Sequence, residues 1–509
     1  MFEIGGKNIR FVGIGGASMS ALARFSLQFG AKVSGSDAKC GEEVKKLLAM
    51  GVPICIGHDE KAVENADLVV FSSAIGKDDP ELARARLVGV PTMERHLYLA
   101  LISGFFSQVV AIGGTHGKTS TTAMLTHILA KNGNRFLSMI GGESVDFSNY
   151  VNNTRADSVQ ELKNCIFVCE ACEYKRNLLA LNPSIGVVTN AECDHPDCYE
   201  NEDEVKKVFC DFLAKAKCKI VSDEYESLLQ SGLSERDCLG CDALCNQERK
   251  ERERADCACN ADLKCDEQNL KNEKGNFAEK DDDKRFFVIA QGEQKDVLEA
   301  RISLGGAEVF DPNGSCGKIV LKDDGEYNYR NACFALASAK ALGVDLHFAI
   351  RALSDFAGVK RRFERAGEID GAKVIFDFAH HPAEIKCALQ RAKKDGDVLC
   401  VFQPHTFSRT KAYLDDFVEV LGNENNGVKT LAIMPTYPAR EDESMGINSR
   451  ALATAIFDEY PERHVCLLKD KRSTIDFVKN QAKGHATVMM VGAGDIYDLK
   501  DFLPYDETP

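Results

Sequence analysis

Short apolar runs recur along the chain, each followed by a turn and then by a longer segment whose apolar positions keep one helical face. The run at 9–12 enters Gly13-Ile14-Gly15-Gly16, a helix is predicted to about Phe29, and a second strand ends at Asp37. Further strands are expected at 67–71 and around Val90. The run at 109–112 leads into Gly113-Gly114-Thr115-His116-Gly117, then into a helix with Met124, Leu125, Ile128 and Leu129 on one side. Runs at 164–169 and 184–189 close on polar residues: Glu170, with Glu173 a helical turn beyond, and Asn190, Glu192, Asp194 and His195. A helix is predicted at 327–344, ending at Gly343, and strands return at 373–376, 398–402, 430–434, 464–468 and 487–491. Short continuous apolar runs alternating with helical segments are the pattern of parallel strands covered by helices.

The pattern breaks between about 227 and 285. A charge run, six cysteines (Cys238, Cys241, Cys245, Cys257, Cys259, Cys265) and an acidic stretch at 281–284 make a polar insertion with few apolar residues. Its thiolates could ligate Zn²⁺, but the Cys257-x-Cys259 half fits common zinc spacings poorly. A mobile surface insertion with reduced thiols is the better reading, because such a segment cannot bury enough surface to fold alone. Alternating α/β character is expected to resume after it.

Composition narrows the class. A chain of 509 residues points to two to four domains, and 44% hydrophobic residues supply ample cores. The net charge of −15 argues against general nucleic-acid binding. No run of ~18 apolar residues occurs, so no membrane span is expected, and the first residues lack a secretory pattern. Twenty cysteines in so long a chain without such a signal suggest reduced thiols in a cytosolic protein.

The two glycine-rich turns carry the candidate chemistry. Glycines let backbone N–H groups approach an anion, a helix N-terminus adds positive potential, Lys118 brings a full charge, and the Thr119 hydroxyl suits Mg²⁺. Ile112 stands where the usual phosphate loop has its first glycine, yet turn, Lys and Thr all fall at the strand–helix junction, which implies a nucleoside triphosphate site. At the first turn Ser18 replaces the third glycine of a dinucleotide fingerprint. Nicotinamide binding and a purely structural turn remain open there, and another nucleotide diphosphate is the preferred reading, with Asp37 at the ribose. In open parallel sheets ligands sit beyond the strand carboxyl ends. Glu170 is therefore placed to hold Mg²⁺, or else is a helix N-terminal acid facing solvent; His195 joins the metal, or only caps a turn. After 358 comes a basic cluster (Lys360, Arg361, Arg362, Arg365) and strand-end loops rich in His, Arg and Asp, which implies a cleft enzyme assembled between domains. The fold class expected is α/β in three domains: a Rossmann-like N-terminal domain at 1–107, a central P-loop-type ATPase domain at 108–357 carrying the insertion, and a C-terminal doubly wound α/β domain at 358–509.

Nine motifs appear in a familiar order: GIGGASMSALA (13–23), SSAI (72–75), GTHGKTS (114–120), EACEYKRNLL (170–179), TNAECDHPDCY (189–199), GVKRRFE (358–364), DFAHHP (377–382), FQPHTFSRT (402–410) and GAGDI (492–496). Together they resemble the Mur ligases, the ATP-driven amide-forming enzymes of bacterial cell-wall synthesis, and within them the alanine-adding branch. The resemblance implies ATP and Mg²⁺ as cofactors, with UDP-N-acetylmuramate and L-alanine as substrates. It implies a cytoplasmic bacterial enzyme, a monomer or weak homodimer, that uses no nucleic acid or membrane. The nearest alternative it leaves is a recycling ligase that adds a peptide to the same sugar nucleotide. Gly15, Gly16, Asp37, Ser72 and Ser73 would hold the UDP part. Gly114, Thr115, His116, Gly117, Lys118, Thr119 and Ser120 would hold the ATP phosphates, and Asn328 and Asn331 would approach the adenine. Thr119, Glu170 and His195 would coordinate the metal. Lys118, His380 and Arg409 would be catalytic, with Asp377, His381 and His405 placing loops over the reacting groups; which imidazole accepts the amine proton stays open. Tyr327, Ser18 and Cys172 depart from the family pattern.

Overall fold

The computed structural model describes residues 3–192, 198–199, 201–229, 284–291, 295–303, 306–311, 314–322, 325–439 and 441–506. His195, Asp194 and the six cysteines of the insertion lie outside the described residues. Of the expected insertion at 227–285, the described ends carry regular structure: Asp223–Leu229 is a 3₁₀ segment and Lys284 opens a strand.

Three sheets organise the chain. The first holds β1 (Asn8–Val12), β2 (Lys32–Asp37), β3 (Ile54–Ile56), β4 (Leu68–Phe71) and β5 (Thr92–Glu94), all parallel, in the order β3-β2-β1-β4-β5. The order reverses between β1 and β4: Ile9 of β1 has Val33 of β2 on one side and Leu68 of β4 on the other. The glycine turn after β1 and the serines after β4 thus flank a switch point, where open α/β sheets bind ligands.

The second sheet holds β6 (Gln108–Gly113), β7 (Phe136–Met139), β8 (Tyr150–Asn152), β9 (Ile166–Glu170), β10 (Ile185–Val188), β11 (Cys218–Ser222), β12 (Lys284–Gln291), β13 (Lys295–Ser303), β14 (Gly306–Asp311) and β15 (Gly314–Ile319), in the order β15-β14-β13-β12-β11-β10-β6-β9-β7-β8. β6 lies between β9 and β10, parallel to both. From β11 to β15 the strands form an antiparallel meander rather than the α/β alternation expected after the insertion. Alternating Phe286, Val288 and Leu298, Ala300, Ile302 are buried, which is the one-sided pattern of such a sheet. Helix Lys118–Lys131 is buried from Ser120 to Leu129, and Glu326–Ala341 packs against it. Ala332, Ala335 and Ala339 on the latter are fully buried, and their small side chains permit that close approach.

The third sheet holds β16 (Glu364–Ile369), β17 (Ala372–Asp377), β18 (Val398–Phe402), β19 (Val428–Ile433), β20 (Val465–Leu467) and β21 (Thr487–Val491), in the order β16-β17-β21-β18-β19-β20. β16 is antiparallel, the others parallel. Its central strands are buried on both faces by two clusters, one around Phe402 and Leu421, the other around Phe376 and Met490.

The chain divides into two compact units. One comprises Met1–Ser138, Asn152–Glu192 and Asn201–Ser354, and so contains the first sheet and most of the second. The other comprises Met139–Val151, Cys193–Glu200 and Asp355–Pro509. Nothing in the hydropathy pattern marks 139–151 for the second unit. It is drawn there by an antiparallel bridge from Ser144 to Val359 and by the pair of Glu143 with Lys360 at 2.7 Å.

Candidate active site

In the first unit the apolar strand β6 delivers its last residue into a turn that only glycine can follow at two points. Gly114 has φ +125°, and a Cβ there would meet Thr189 Oγ1 at 2.1 Å. Gly117 has φ +84°, and its Cβ would fall 2.3 Å from Asn331 Oδ1. The end of β10 braces the turn. Asn190 Oδ1 accepts from the His116 N–H at 2.8 Å, while Asn190 Nδ2 and Thr189 Oγ1 donate to the His116 carbonyl at 3.2 and 2.5 Å. Thr115 Oγ1 donates to the Glu192 carbonyl at 2.7 Å, and His116 Nε2 lies 3.5 Å from Glu192 Oε2.

Lys118 opens the helix and folds back over the turn. Its Nζ donates to the carbonyls of Gly114 and of Thr115, the latter at 2.9 Å, and to both oxygens of Glu173 at 3.1 and 3.0 Å. Glu173 is only 3% exposed. Burial works against the lysine charge, but Glu173, with Cys172 and Glu170 behind it, outweighs that and holds Lys118 above its ordinary range. An incoming triphosphate therefore meets a charged, preoriented ammonium. Glu170 closes β9 opposite Ile112, so its carboxylate stands one strand away from the turn. Thr119 is half-buried and Ser120 buried. Among the described residues no group of three or more His, Cys, Asp or Glu is arranged for a metal. The donors at hand, the Thr119 hydroxyl and the Glu170 carboxylate, are oxygens, which suits Mg²⁺ held jointly with phosphate oxygens and water. Asn331 is buried beneath the turn and accepts from Thr121 Oγ1 at 3.4 Å; Asn328 is half-exposed one turn earlier.

The turn after β1 is built differently. Asp37 Oδ2 accepts from the Gly15 N–H at 2.8 Å and Oδ1 from Lys39 N–H at 3.1 Å. A Cβ on Gly15 would meet Val44 at 2.7 Å and Asp37 at 2.9 Å. That carboxylate takes up the Gly15 N–H and can also accept from a ligand hydroxyl. Ser72 Oγ accepts from Ala74 N–H at 3.3 Å, and Ser73 Oγ from Asn177 Nδ2 at 3.5 Å. Ser18, two positions after Gly16, accepts from Arg95 Nη1 at 3.1 Å.

In the second unit Asp377 ends β17. Its oxygens accept from Phe363 and Ala379 N–H, both at 2.7 Å. Burial pushes its carboxyl up to about 6, with Arg362 and these N–H groups pulling the other way. His380 Nδ1 lies 2.9 Å from the Phe378 carbonyl, which only accepts, so Nδ1 carries the hydrogen and neutral His380 keeps its lone pair on Nε2. Its ring is 5.7 Å from His405, which stacks on Tyr437 and lies 3.5 Å from Arg409 Nη1. His381 instead caps the helix Pro382–Lys393, its Nδ1 accepting from Ala383 N–H at 3.4 Å. The fold thus brings His380, His405 and Arg409 into one group and gives His381 a structural duty.

Residues 8–107 match the family described as Mur ligase family, catalytic domain; residues 112–339 match the Mur ligase middle domain; residues 361–494 match the Mur ligase, glutamate ligase domain. The chain belongs to the Mur ligase family. Among its relatives, the UDP-N-acetylmuramate–L-alanine ligase of Acetivibrio thermocellus is 32% identical, covering 98% of this chain and 96% of that one. The enzyme of the same name from Clostridium acetobutylicum is 32% identical over 98% and 97%. Among solved structures, a UDP-N-acetylmuramate–alanine ligase from Thermotoga maritima superimposes with TM-score 0.70 at 23% identity, covering 97% of this chain and 98% of that one. A murein peptide ligase from Psychrobacter arcticus reaches 0.64 at 20%, covering 98% of each. Both likenesses show that this Mur ligase shares their three-domain α/β fold.

Sequence reasoning missed some of the residues that organise this Mur ligase site. Glu173 stands in the sequence as an acid a helical turn beyond Glu170, and nothing in the pattern pairs it with Lys118 across 55 positions. Arg95 and Asn177 reach the first-domain loops from a short helix and a 3₁₀ segment whose sequences carry no motif.

Proposed function

We infer that this Mur ligase joins L-alanine to the lactyl carboxylate of UDP-N-acetylmuramate at the expense of ATP, a step of peptidoglycan precursor synthesis. The shared activity of relatives that span the whole chain carries this reading, and the preoriented Lys118 supports it chemically. We propose the following roles. The carboxylate attacks the γ-phosphorus of ATP, ADP leaves, and an acyl phosphate forms. The alanine amine then attacks the acyl carbon, the C–N bond forms and phosphate departs. Lys118 and the amides of 114–120 offset the charge that spreads over the transferred phosphoryl group. Mg²⁺, when bound by Thr119, Glu170 and His195, adds charge neutralisation on the same oxygens. Gly15, Gly16, Asp37, Ser72 and Ser73 hold the UDP moiety, and Asn328 and Asn331 flank the nucleotide's base. Nε2 of His380 takes the ammonium proton, and Arg409, beside His405, supplies positive charge to the acyl phosphate. Domain boundaries at 107/108 and 357/358, a cytoplasmic location and a monomer or weak homodimer belong to the same proposal. Among the described residues no helix is long and apolar enough to cross a membrane.

The test is phosphate release by the purified protein with ATP, Mg²⁺ and UDP-N-acetylmuramate, offered L-Ala, L-Ser, Gly or a cell-wall tripeptide. Release that requires the sugar nucleotide and is fastest with L-Ala supports the reading. Preference for the tripeptide transfers it to the recycling ligase, and release independent of the sugar nucleotide refutes both.

A further inference from the structure

Helix Arg95–Ser103 packs against β4 and β5, against helix Ala17–Gln28, which follows the first glycine turn, and against the 3₁₀ segment Tyr174–Ala180, which follows Glu173. Its first residue bonds Ser18, two positions after Gly16, and lies within electrostatic reach of Cys172, the neighbour of Glu173. Arg95 is half-buried there. Among the described residues its hydrogen-bond partner is the neutral Ser18 hydroxyl at 3.1 Å, and no carboxylate forms an ion pair with it. Its charge reaches Cys169 and Cys172, where burial pushes both thiols up and Arg95, with Lys118 at Cys172, pulls partly the other way. Two buried arginines of the same unit are matched: Arg10 by Glu81 at 2.6 Å, Arg24 by Glu43 at 2.7 Å. A half-buried guanidinium whose bonded partner among the described residues is a hydroxyl keeps donors for an anionic group brought by a ligand.

We propose that Arg95 is a substrate-binding residue that takes the lactyl carboxylate of the sugar nucleotide and presents it to the γ-phosphate held by Lys118. This rests on the ligase reading above and deepens it. The sugar nucleotide carries two kinds of anion, the diphosphate and the carboxylate. The diphosphate lies between uridine and sugar, on the side of the glycine turn. The carboxylate is the group that must reach the γ-phosphorus, and Arg95 sits on the path from one turn to the other. Two positive groups, Arg95 on the nucleophile and Lys118 on the electrophile, would also lower the mutual repulsion of a carboxylate and a triphosphate. Ser18 acts as the positioning partner, fixing the guanidinium through one N–H and leaving its other donors for the ligand.

The measurement compares binding of UDP-N-acetylmuramate with UDP-N-acetylglucosamine, which has the same diphosphate and lacks the lactyl ether, by calorimetry without ATP on wild type, Arg95→Gln and Arg95→Lys. The expected result is that Arg95→Gln weakens UDP-N-acetylmuramate at least tenfold, leaves UDP-N-acetylglucosamine and ADP within twofold, and lowers kcat more than it raises the KM for ATP. Arg95→Lys recovers part of the loss. Equal weakening of both sugar nucleotides would assign Arg95 to the diphosphate and overturn the proposal, as would unchanged discrimination between them. Lost ADP binding in Arg95→Gln would mark a damaged fold, and Arg95→Lys then decides: unchanged discrimination overturns the proposal. Failure of the ligase reading shows separately, as wild type that neither binds UDP-N-acetylmuramate nor turns over.

Discussion

The first unit contains the same local pattern twice, an apolar strand, a glycine-rich turn and a helix, and the two copies are wired oppositely. After β1 the turn is closed by an acid, Asp37, which accepts from Gly15. After β6 it is closed by a base, Lys118, whose ammonium spans the carbonyls of Gly114 and Thr115 and the buried Glu173. The glycines differ too. Gly114 and Gly117 are both boxed in and at positive φ; after β1 those properties fall on different residues, Gly13 at φ +79° and Gly15 boxed in by Val44, while Gly16 has extended backbone with its nearest neighbour 3.7 Å from a built Cβ. Strand–turn–helix geometry alone therefore does not choose the ligand. The charge that closes the turn adds a difference: a carboxylate can accept from hydroxyls, an ammonium can donate to phosphates.

Removing the base should have the largest effect. Lys118→Ala is expected to cut turnover roughly a hundred- to a thousandfold, the usual loss for one preorganised electrostatic partner. It also strands Glu173, at a cost to stability of up to about 3 kcal/mol. Lys118→Ala with Glu173→Gln should regain the stability in thermal melts and none of the turnover. If the double variant recovers turnover, the turn after β6 is not where charge matters.

The steric half of the contrast is tested by one methyl group. Gly114→Ala should destabilise the protein by at least about 2 kcal/mol, since left-handed strain adds to a clash with Thr189 and its backbone. Gly16→Ala should cost no more than about 1 kcal/mol, the price of a poor helix cap. Equal losses in denaturant titrations would erase the distinction.

The smallest effect extends the comparison to the second unit. Asp377 closes its strand end much as Asp37 does, one oxygen accepting from the residue two positions on and the other from a separate loop. Its carboxyl is raised to about 6. The folded state then holds its proton more tightly than the unfolded chain, whose aspartate titrates near its ordinary 3.8. This group's contribution to stability is fully present below that ordinary value and is lost as pH rises through about 6. Asp377→Asn should flatten that part of the profile, so the difference in melting temperature between wild type and variant changes across this window and is constant above it. A constant difference throughout would mean that the native carboxyl titrates normally.

Much of this was legible in the residues. The parallel strands announce themselves because strands buried on both faces are written as continuous apolar runs, and the strand-end positions of Glu170, Asp377 and His380 follow from where those runs stop. β5 was expected around Val90 and runs over Thr92–Glu94, since a three-residue edge strand has too few positions to show a period. The meander β12–β15 was read as α/β alternation because antiparallel hairpins beside a polar insertion offer neither a long apolar run nor a motif.

What the sequence by itself determined is what short-range physics can encode: apolar runs, glycines where φ must be positive, a lysine at a helix start, acids and imidazoles where strands end. Only the tertiary structure decided partners and charge states. Lys118 meets Glu173, and Arg95 meets Ser18, across 55 and 77 positions of chain. His381 becomes a cap while its neighbour His380 joins His405 and Arg409. The physical reason is range. Periodicity and turn chemistry act within a few residues, whereas pairing of buried charge depends on which strands lie side by side, and that is settled when the whole sheet closes its core.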